Sequence, residues 1–540
     1  MMNENDFLLH GPKRGNWKMG KKQTVLQALA DAVESEPDKI FLIEEDKTVS
    51  FKQFDEITDR LASAFFEKGI KKGDKISIIA LNQVEWLYTF FAATKIGVTV
   101  VPLNTRYRET ELEYMLNQAE VKAVISLAQF QDFDYVKFFQ SFRSRIPGVS
   151  QFFYIGGNGE HSFEKLLECE PEDYTLSEAK EQVDEEDTVL IIYTSGTTGK
   201  PKGAMITNRS LLASARAQSE HLNISKDDIA IGSLPLNHVG GITCTIMVGL
   251  VSMSSVVLVP NFRPDRVVDV IERYKATIFG GVPTMYLMML SLPHLTKKKL
   301  TSLKICIVGG SNVEPKLCCR ITNSIPNAKL INLYGLSETS GACVLSRLTD
   351  NISKVQETIG VPIGTFKAKV VDRDGAEVSN GVIGELFIQG DCVAKGYYGM
   401  KKETNETFQH GWLATGDMVY KDDEGYLHFK GRKKEMYITG GFNVFPVEIE
   451  NVLASYEKVQ LAAGIGVPDP LLGEIGVYYI VPKPNVSLTE EELFQFCRDR
   501  LADYKVPKRF IIVDEVPLTP AGKVQKSKLM QRYLETNRQA

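Results

Sequence analysis

Apolar residues recur along the chain at two spacings, and the alternation between them predicts the architecture. FDEITDRLASAFFEKG (54–69) carries them three and four apart, as on one face of a helix, whereas KISIIA (75–80) is a short continuous run, as in a buried strand. WLYTFFAATKIG (86–97) is helical again and VTVVPL (98–103) is a strand. The pair repeats as ELEYMLNQA (111–119) and VKAVISL (121–127). ATIFGG (276–281) and LKICIVGG (303–310) are further apolar strands, each ending on two glycines. Short apolar strands separated by helices predict an α/β fold, with parallel sheets covered by helices on both faces. Ligands bind such sheets beyond the carboxyl ends of the strands. The glycine pairs, and the polar loop after VLIIY (189–193), occupy such ends.

From about Val361 the pattern changes. KAKVVDRDGAEV (367–378), GELFIQG (384–390) and DEGYLHF (423–429) alternate and turn on glycine, which predicts β-hairpins. The expected organisation is a large N-terminal domain over 1–431 of parallel βα sheets, with a β-rich subdomain at about 361–431. A small, mobile α+β C-terminal domain over 432–540 follows, joined through the charged, glycine-rich segment GRKKEMYITGGFNVFP (431–446). Residues 240–260 are free of charge and about long enough to span a bilayer. Their Gly, Ser and Thr content and the VVLVP ending predict a buried helix followed by a buried strand instead.

Composition narrows the function classes. The 540 residues are 43% apolar and 24% charged, ordinary for a globular chain. A net charge of −5 gives no sign of a nucleic-acid partner or an anionic membrane surface. The lysine run at 297–299 reads as a solvated face. Eight cysteines without zinc or redox spacing read as small buried hydrophobes in a reducing compartment. The first residues lack the apolar core of a signal peptide and no transmembrane segment is expected, so the expected location is cytoplasmic.

The candidate chemistry starts at TSGTTGKPKG (194–203), where ten residues hold three glycines, four hydroxyls and two lysines. A Walker loop would need glycine at Thr194 and a hydroxyl residue at Pro201, so this is a phosphate-type loop of another kind. Backbone N–H groups freed by Gly196, Gly199 and Gly203 can surround phosphate oxygens, helped by Thr194, Ser195, Thr197 and Thr198; Lys200 and Lys202 add charge. Four further stretches follow in order: LPLNHVGG (234–241), NLYGLSET (332–339), GWLATGD (411–417) with GRKKEMYITGGFN (431–443), and PLTPAGKVQK (517–526).

This ordered set, over nearly the whole chain, closely resembles the adenylate-forming superfamily and its acyl-CoA synthetases. The resemblance implies ATP, Mg²⁺ and coenzyme A as cofactors or substrates, a small carboxylic acid as the molecule activated, and no nucleic acid. It is also compatible with a homodimer. The first loop would grip the β- and γ-phosphates. Asn332 opens the next stretch; in it the Tyr334 face would stack on adenine with Gly335 beside it in the nucleotide site, Ser337 would reach phosphate, and Glu338 is a hard oxygen ligand suited to Mg²⁺. Gly309, Gly310 and Ser311 match the family's other adenine wall. Asp417 matches the carboxylate that accepts the ribose hydroxyls, and Arg432 a second ribose or phosphate contact. Lys523 would bridge the attacking carboxylate and the α-phosphate, where charge builds up. His238 would lie beside the acyl group, with Gly240 and Gly241 leaving room and Ile242, Met247 and Met285 as candidate apolar lining. A hinge is expected at Lys434, and the segment with Gly440 and Gly441 would line a tunnel for the pantetheine arm. Where the family more often has Asp, this chain has Glu435.

The implied activity is an AMP-forming acid–thiol ligase acting on a medium- or long-chain fatty acid or an aromatic acid. No aspartate lies between Gly232 and Pro260 to pair with an ammonium, so an α-amino acid is not expected. Rival readings are an adenylating enzyme feeding a separate carrier protein, a luciferase-like oxygenase, and a non-catalytic nucleotide-binding protein.

Overall fold

The computed structural model of the protein describes residues 23–171, 173–194, 200–311, 313–518 and 524–538. Two large sheets form from the apolar runs. A nine-stranded sheet has at its centre the parallel strands Lys329–Leu336, Ile305–Gly309, Ile278–Gly281, Ile229–Gly232, Ser255–Leu258 and Ile40–Glu44, in that spatial order. A six-stranded sheet runs through Thr188–Thr194, Thr99–Pro102, Lys75–Ile79, Ala123–Leu127 and Gln151–Ile155, again parallel. Side chains of both sheets enter one apolar cluster, including Leu42 and Val256 from the first and Ile76 and Val124 from the second.

The sheets are not wholly parallel. Lys202–Thr207 pairs antiparallel with Thr188–Thr194, and Gly341–Leu345 antiparallel with Lys329–Leu336. Both connections are a few residues long, and a parallel partner would need a crossover of a dozen or more. The expected phosphate loop therefore lies between two antiparallel strands.

Helix Val84–Lys95 is buried at every position but Glu85, as expected of a helix that is apolar nearly all round. It ends on Lys95, whose side chain is 1% exposed and whose Nζ lies 2.6 Å from both Asp55 Oδ1 and Asp59 Oδ1 on the neighbouring helix Phe51–Glu67. The charge-free stretch at 240–260 forms the predicted buried helix and strand. Val239–Ser252 is helical, with a π-helical turn at Ile242–Met247, and Ser255–Leu258 is a strand of the large sheet. Among the described residues no helix is long and apolar enough to cross a membrane. All eight cysteines are free thiols, five of them buried.

The later hairpins form as expected. Lys367–Val371, Gly384–Gln389, Trp412–Lys421 and Leu427–Arg432 make an antiparallel sheet. Beyond it, Tyr437–Thr439, Phe442–Val444, Val459–Asp469, Gly473–Pro482 and Arg509–Ile512 make a separate sheet. Alternate residues of Gly473–Pro482 supply two apolar clusters: Tyr478 and Ile480 pack with Ile449 and Leu493, while Val477 and Tyr479 pack with Leu529. Helices thus cover both faces of this small sheet.

Removing the Lys95 ammonium leaves Asp55 without its cation and Asp59 with Lys180 alone, at 2.7 Å. Lys95→Ala is expected to cost about 3 kcal/mol of unfolding free energy in urea denaturation. A loss below about 1 kcal/mol would show the cluster to behave like surface ion pairs.

Candidate active site

The hairpin of Thr188–Thr194 and Lys202–Thr207 is braced by tyrosines. Lys202 pairs with Thr194 in the strand register, and its Nζ lies 5.0 Å from the ring centre of Tyr397. Lys200 Nζ lies 5.8 Å from the Tyr114 ring, and the Tyr114 hydroxyl donates to the Pro201 carbonyl at 3.1 Å. Tyr193, one strand position inward, donates to the side-chain oxygen of Gln118 and to the Met115 carbonyl at 3.2 Å. Ser195, Gly196, Thr197, Thr198 and Gly199 lie outside the described residues.

Opposite this hairpin the strand Lys329–Leu336 runs into a tight turn at Ser337–Thr339. The glycine at 335 is needed for close strand approach, since a Cβ there would sit 2.2 Å from the Gly341 carbonyl. Ser337 is buried and Glu338 half-buried in the turn. The Glu338 carboxylate accepts from the Tyr397 hydroxyl at 2.7 Å. Asn332 is buried, and its amide donates to the Val355 and Thr358 carbonyls, so it braces the strand.

Asp417 is the most enclosed charge of the site, with 1% of its side chain exposed. It stands on Trp412–Lys421 directly across the ladder from Arg432. Arg432 Nε is 2.8 Å from Asp417 Oδ1, and the Tyr334 hydroxyl donates to Oδ2 at 2.6 Å. The Arg432 contact is an ion pair outside hydrogen-bond geometry, so Oδ1 is buried without a hydrogen bond among the described residues. Burial raises the Asp417 carboxyl above its usual value, against the pull of Arg432 and Tyr334. A buried carboxylate oxygen with an ion pair but no hydrogen bond, close to a tyrosine, fits a ligand that brings hydroxyl donors, as a ribose does.

The third wall is made by strand ends. Gly309 is buried where a Cβ would meet the Leu333 carbonyl at 2.5 Å, and Gly310 has φ +81°. Gly310 and Ser311 are exposed, with Val282 beside Gly310. His238 is exposed, and its Nδ1 accepts from the Gly240 amide at 3.0 Å, capping the short helical turn Val239–Gly241. The loop carrying it is tied down by Asn82. The Asn82 amide donates to the Gly232, Leu234 and Val259 carbonyls, and its oxygen accepts from Leu236 N. The expected acyl lining needs correction. Gly241 makes room for backbone, because a Cβ there would lie 2.2 Å from the Pro235 carbonyl. Ile242 and Met247 are fully buried in the main core, and Met285 packs into the second cluster with Tyr286 and Phe279. The apolar surface at the strand ends is supplied instead by Leu234 and Val282, around Gly280 and Gly310.

Past Arg432 the chain turns over 433–435. Lys433 Nζ pairs with Glu385 at 2.6 Å, and Lys434 is exposed beside it, its ammonium pulled below the usual lysine range by partial desolvation and by the Arg432 cation. Glu435 pairs with Lys526 at 2.7 Å, and Glu450 joins the same ammonium at 2.8 Å. Burial would lower the Lys526 ammonium, but Glu450 and Glu435 hold it above its ordinary value. Lys523 lies outside the described residues; Leu518 and Val524, on either side, bridge antiparallel. Gly440 (φ +55°) and Gly441 (φ +86°) form the two-residue turn of the hairpin Tyr437–Val444, and a Cβ on Gly441 would meet nothing within 4 Å. These glycines are required by the turn, since both central residues sit in the left-handed region.

Residues 29–398 match the AMP-binding enzyme family, and residues 448–523 match the AMP-binding enzyme C-terminal domain. The chain belongs to the AMP-binding enzyme family. An indoleacetate–CoA ligase from Aromatoleum aromaticum is 32% identical over 92% of this chain and 95% of its own. A long-chain-fatty-acid–CoA ligase from Bacillus subtilis is 29% identical over 95% of each chain. An anthranilate CoA ligase solved in complex with anthranoyl-AMP superposes with a TM-score of 0.86 at 26% identity, covering 95% of this chain and 97% of that one. This AMP-binding enzyme is thus an adenylate-forming acyl-CoA synthetase by family.

Two site residues were not singled out by sequence. Asn82 and Tyr397 lie outside the five motifs. The only local hint for Tyr397 is a tyrosine pair between glycines in KGYYG (395–399).

The Asp417 environment gives a pH-dependent expectation. A carboxyl whose folded pKa is raised stabilises the fold most at low pH, where it is protonated, and that contribution is lost as pH rises through the folded pKa. Arg432→Gln removes the cation that offsets this loss. Its destabilisation in urea should be about 1–3 kcal/mol at pH 7 and clearly smaller at pH 4.5. Equal losses at both pH values would contradict the account.

Proposed function

We propose that this protein activates a carboxylic acid with ATP and passes the acyl group to coenzyme A. A carboxylate oxygen of the acid attacks the α-phosphorus, the bond to the bridging oxygen breaks, and pyrophosphate leaves. The sulfur of the thiol, losing its proton, then attacks the acyl carbon of the mixed anhydride and AMP departs. The observation that carries this reading is the Asp417 carboxylate, buried against Tyr334 and Arg432 with one oxygen lacking a hydrogen bond. Ribose hydroxyls donating there would fix the nucleotide with its phosphates toward Lys202 and Glu338.

Among the described residues no group of three His, Cys, Asp or Glu could hold a metal by itself. Glu338 therefore suits a dication that takes its remaining ligands from phosphate and water, as Mg²⁺ does. When bound, Mg²⁺ would neutralise phosphate charge. Lys523 is assigned the role of bringing two anions together in the first half-reaction. The segment after Lys434, with its own sheet, is assigned the rotation that exchanges Lys523 for the 440–441 turn. The acid is taken to be a medium- or long-chain fatty acid or an aromatic acid. Supporting this are the apolar Leu234 and Val282 and the open space at Gly280, where a Cβ would meet only Leu234, at 4.0 Å. The relatives named for indoleacetate and for long-chain fatty acids span the same range.

The test is a panel of fatty and aromatic acids, followed by mass spectrometry in single-turnover mixtures. Pyrophosphate and acyl-AMP are expected without coenzyme A, and thioester once it is added. Lys523→Ala should slow adenylate formation by about 10²–10³ while still converting supplied acyl-AMP to thioester. Equal loss of both steps in a folded variant would contradict the assignment of Lys523, and pyrophosphate release indifferent to every acid would contradict the reaction.

A further inference from the structure

The phosphate hairpin and the Glu338 turn belong to different sheets, yet one short segment holds both. Residues 395–398 add to the edge of strand Lys202–Thr207. Met205 N donates to the Gly396 carbonyl at 2.8 Å, Lys395 N to the Met205 carbonyl at 2.9 Å, and Tyr398 N to the Gly203 carbonyl at 2.8 Å. One residue earlier, Ala394 N donates to the Glu338 carbonyl at 2.9 Å. Tyr397 stands between these attachments. It is 6% exposed, packs edge-on against Phe408, and is fixed at its backbone by the Thr404 hydroxyl, which accepts from its N–H at 2.9 Å. Its hydroxyl donates to Glu338 Oε1 at 2.7 Å, and its ring centre lies 5.0 Å from Lys202 Nζ. Among the described residues no hydrogen bond reaches Glu338 Oε2.

We infer that Tyr397 is a positioning residue that sets the metal-side carboxylate and the phosphate-side cation relative to each other. The hydroxyl spends Oε1 on protein and orients the carboxylate, so that Oε2 is the oxygen presented to a dication. The aromatic face attracts the Lys202 ammonium and limits where it can swing. The two functions sit on separable parts of one side chain. The inference rests on Glu338 being the metal-side ligand, and the experiment tests that assignment separately.

The experiment measures ATP binding by calorimetry across a Mg²⁺ titration and again in EDTA, with thermal melting as a folding control. Tyr397→Phe keeps the ring and loses the hydroxyl. It should raise half-saturating Mg²⁺ about tenfold while leaving ATP affinity in EDTA unchanged, since losing a partner behind a metal ligand typically costs 10- to 100-fold in metal affinity. Tyr397→Leu removes the ring as well and should weaken ATP binding in EDTA too. Glu338→Gln should reproduce the metal defect. A Tyr397→Phe protein with wild-type Mg²⁺ dependence beside an impaired Glu338→Gln would overturn the inference alone. Equal weakening of Tyr397→Phe with and without metal would also overturn it, showing that the hydroxyl acts only through the fold. A Glu338→Gln protein indifferent to Mg²⁺ would overturn the metal assignment and this inference together.

Discussion

A carboxylate held out of water is the constraint around which the site is arranged. Asp417 is buried with one cation and one phenol for company, and burial of such a group is costly unless it is paired. The partners come from different places. Tyr334 lies near the end of a strand of the nine-stranded sheet, Asp417 lies in the later antiparallel sheet, and Arg432 closes that sheet's last rung before the chain turns into the C-terminal sheet. One ion pair and one hydrogen bond therefore set three elements against each other. The oxygen left without a hydrogen bond, Oδ1, has only the Arg432 guanidinium beside it.

The same economy appears in how backbone is used. Gly309, Gly335 and Gly241 are places where strands or loops approach so closely that a Cβ would overlap a carbonyl. These contacts are rigid, and they bring the strand ends, the Ser337–Thr339 turn and the His238 loop to one side of the parallel sheet. Asn82 performs the corresponding task with a side chain, satisfying three carbonyls and one amide of a loop far away in sequence. Chemistry carried on loops is thus held by elements that cannot easily move.

Much of this was legible in the sequence, for physical reasons. Apolar runs such as KISIIA and LKICIVGG have little choice but to be buried strands, and the glycine turns after Val361 announce hairpins. Asp417, Arg432, Tyr334 and Glu338 could be singled out because their motifs are local, and the structure brings the first three into contact. What sequence could not supply was contact across distance. Tyr397 reaches Glu338 over 59 residues, and Asn82 reaches Gly232 over 150. Nothing in the spacing near either residue encodes the partner. The reading of Gly241 and of the lining at Ile242, Met247 and Met285 failed for a related cause. A glycine that relieves a backbone clash looks, in sequence, the same as one that leaves room for a ligand.

The central claim is that the Asp417 carboxylate is a ribose acceptor, and that the adenylate therefore lies across the ends of the parallel strands. A crystal structure with a hydrolysis-stable acyl-adenosine analogue tests it most directly. The account expects both ribose hydroxyls within hydrogen-bond distance of the Asp417 carboxylate, the adenine against Tyr334, and the acyl group toward Leu234 and Val282. A ribose bound elsewhere, with Asp417 still buried against Arg432 and Tyr334 alone, would contradict it.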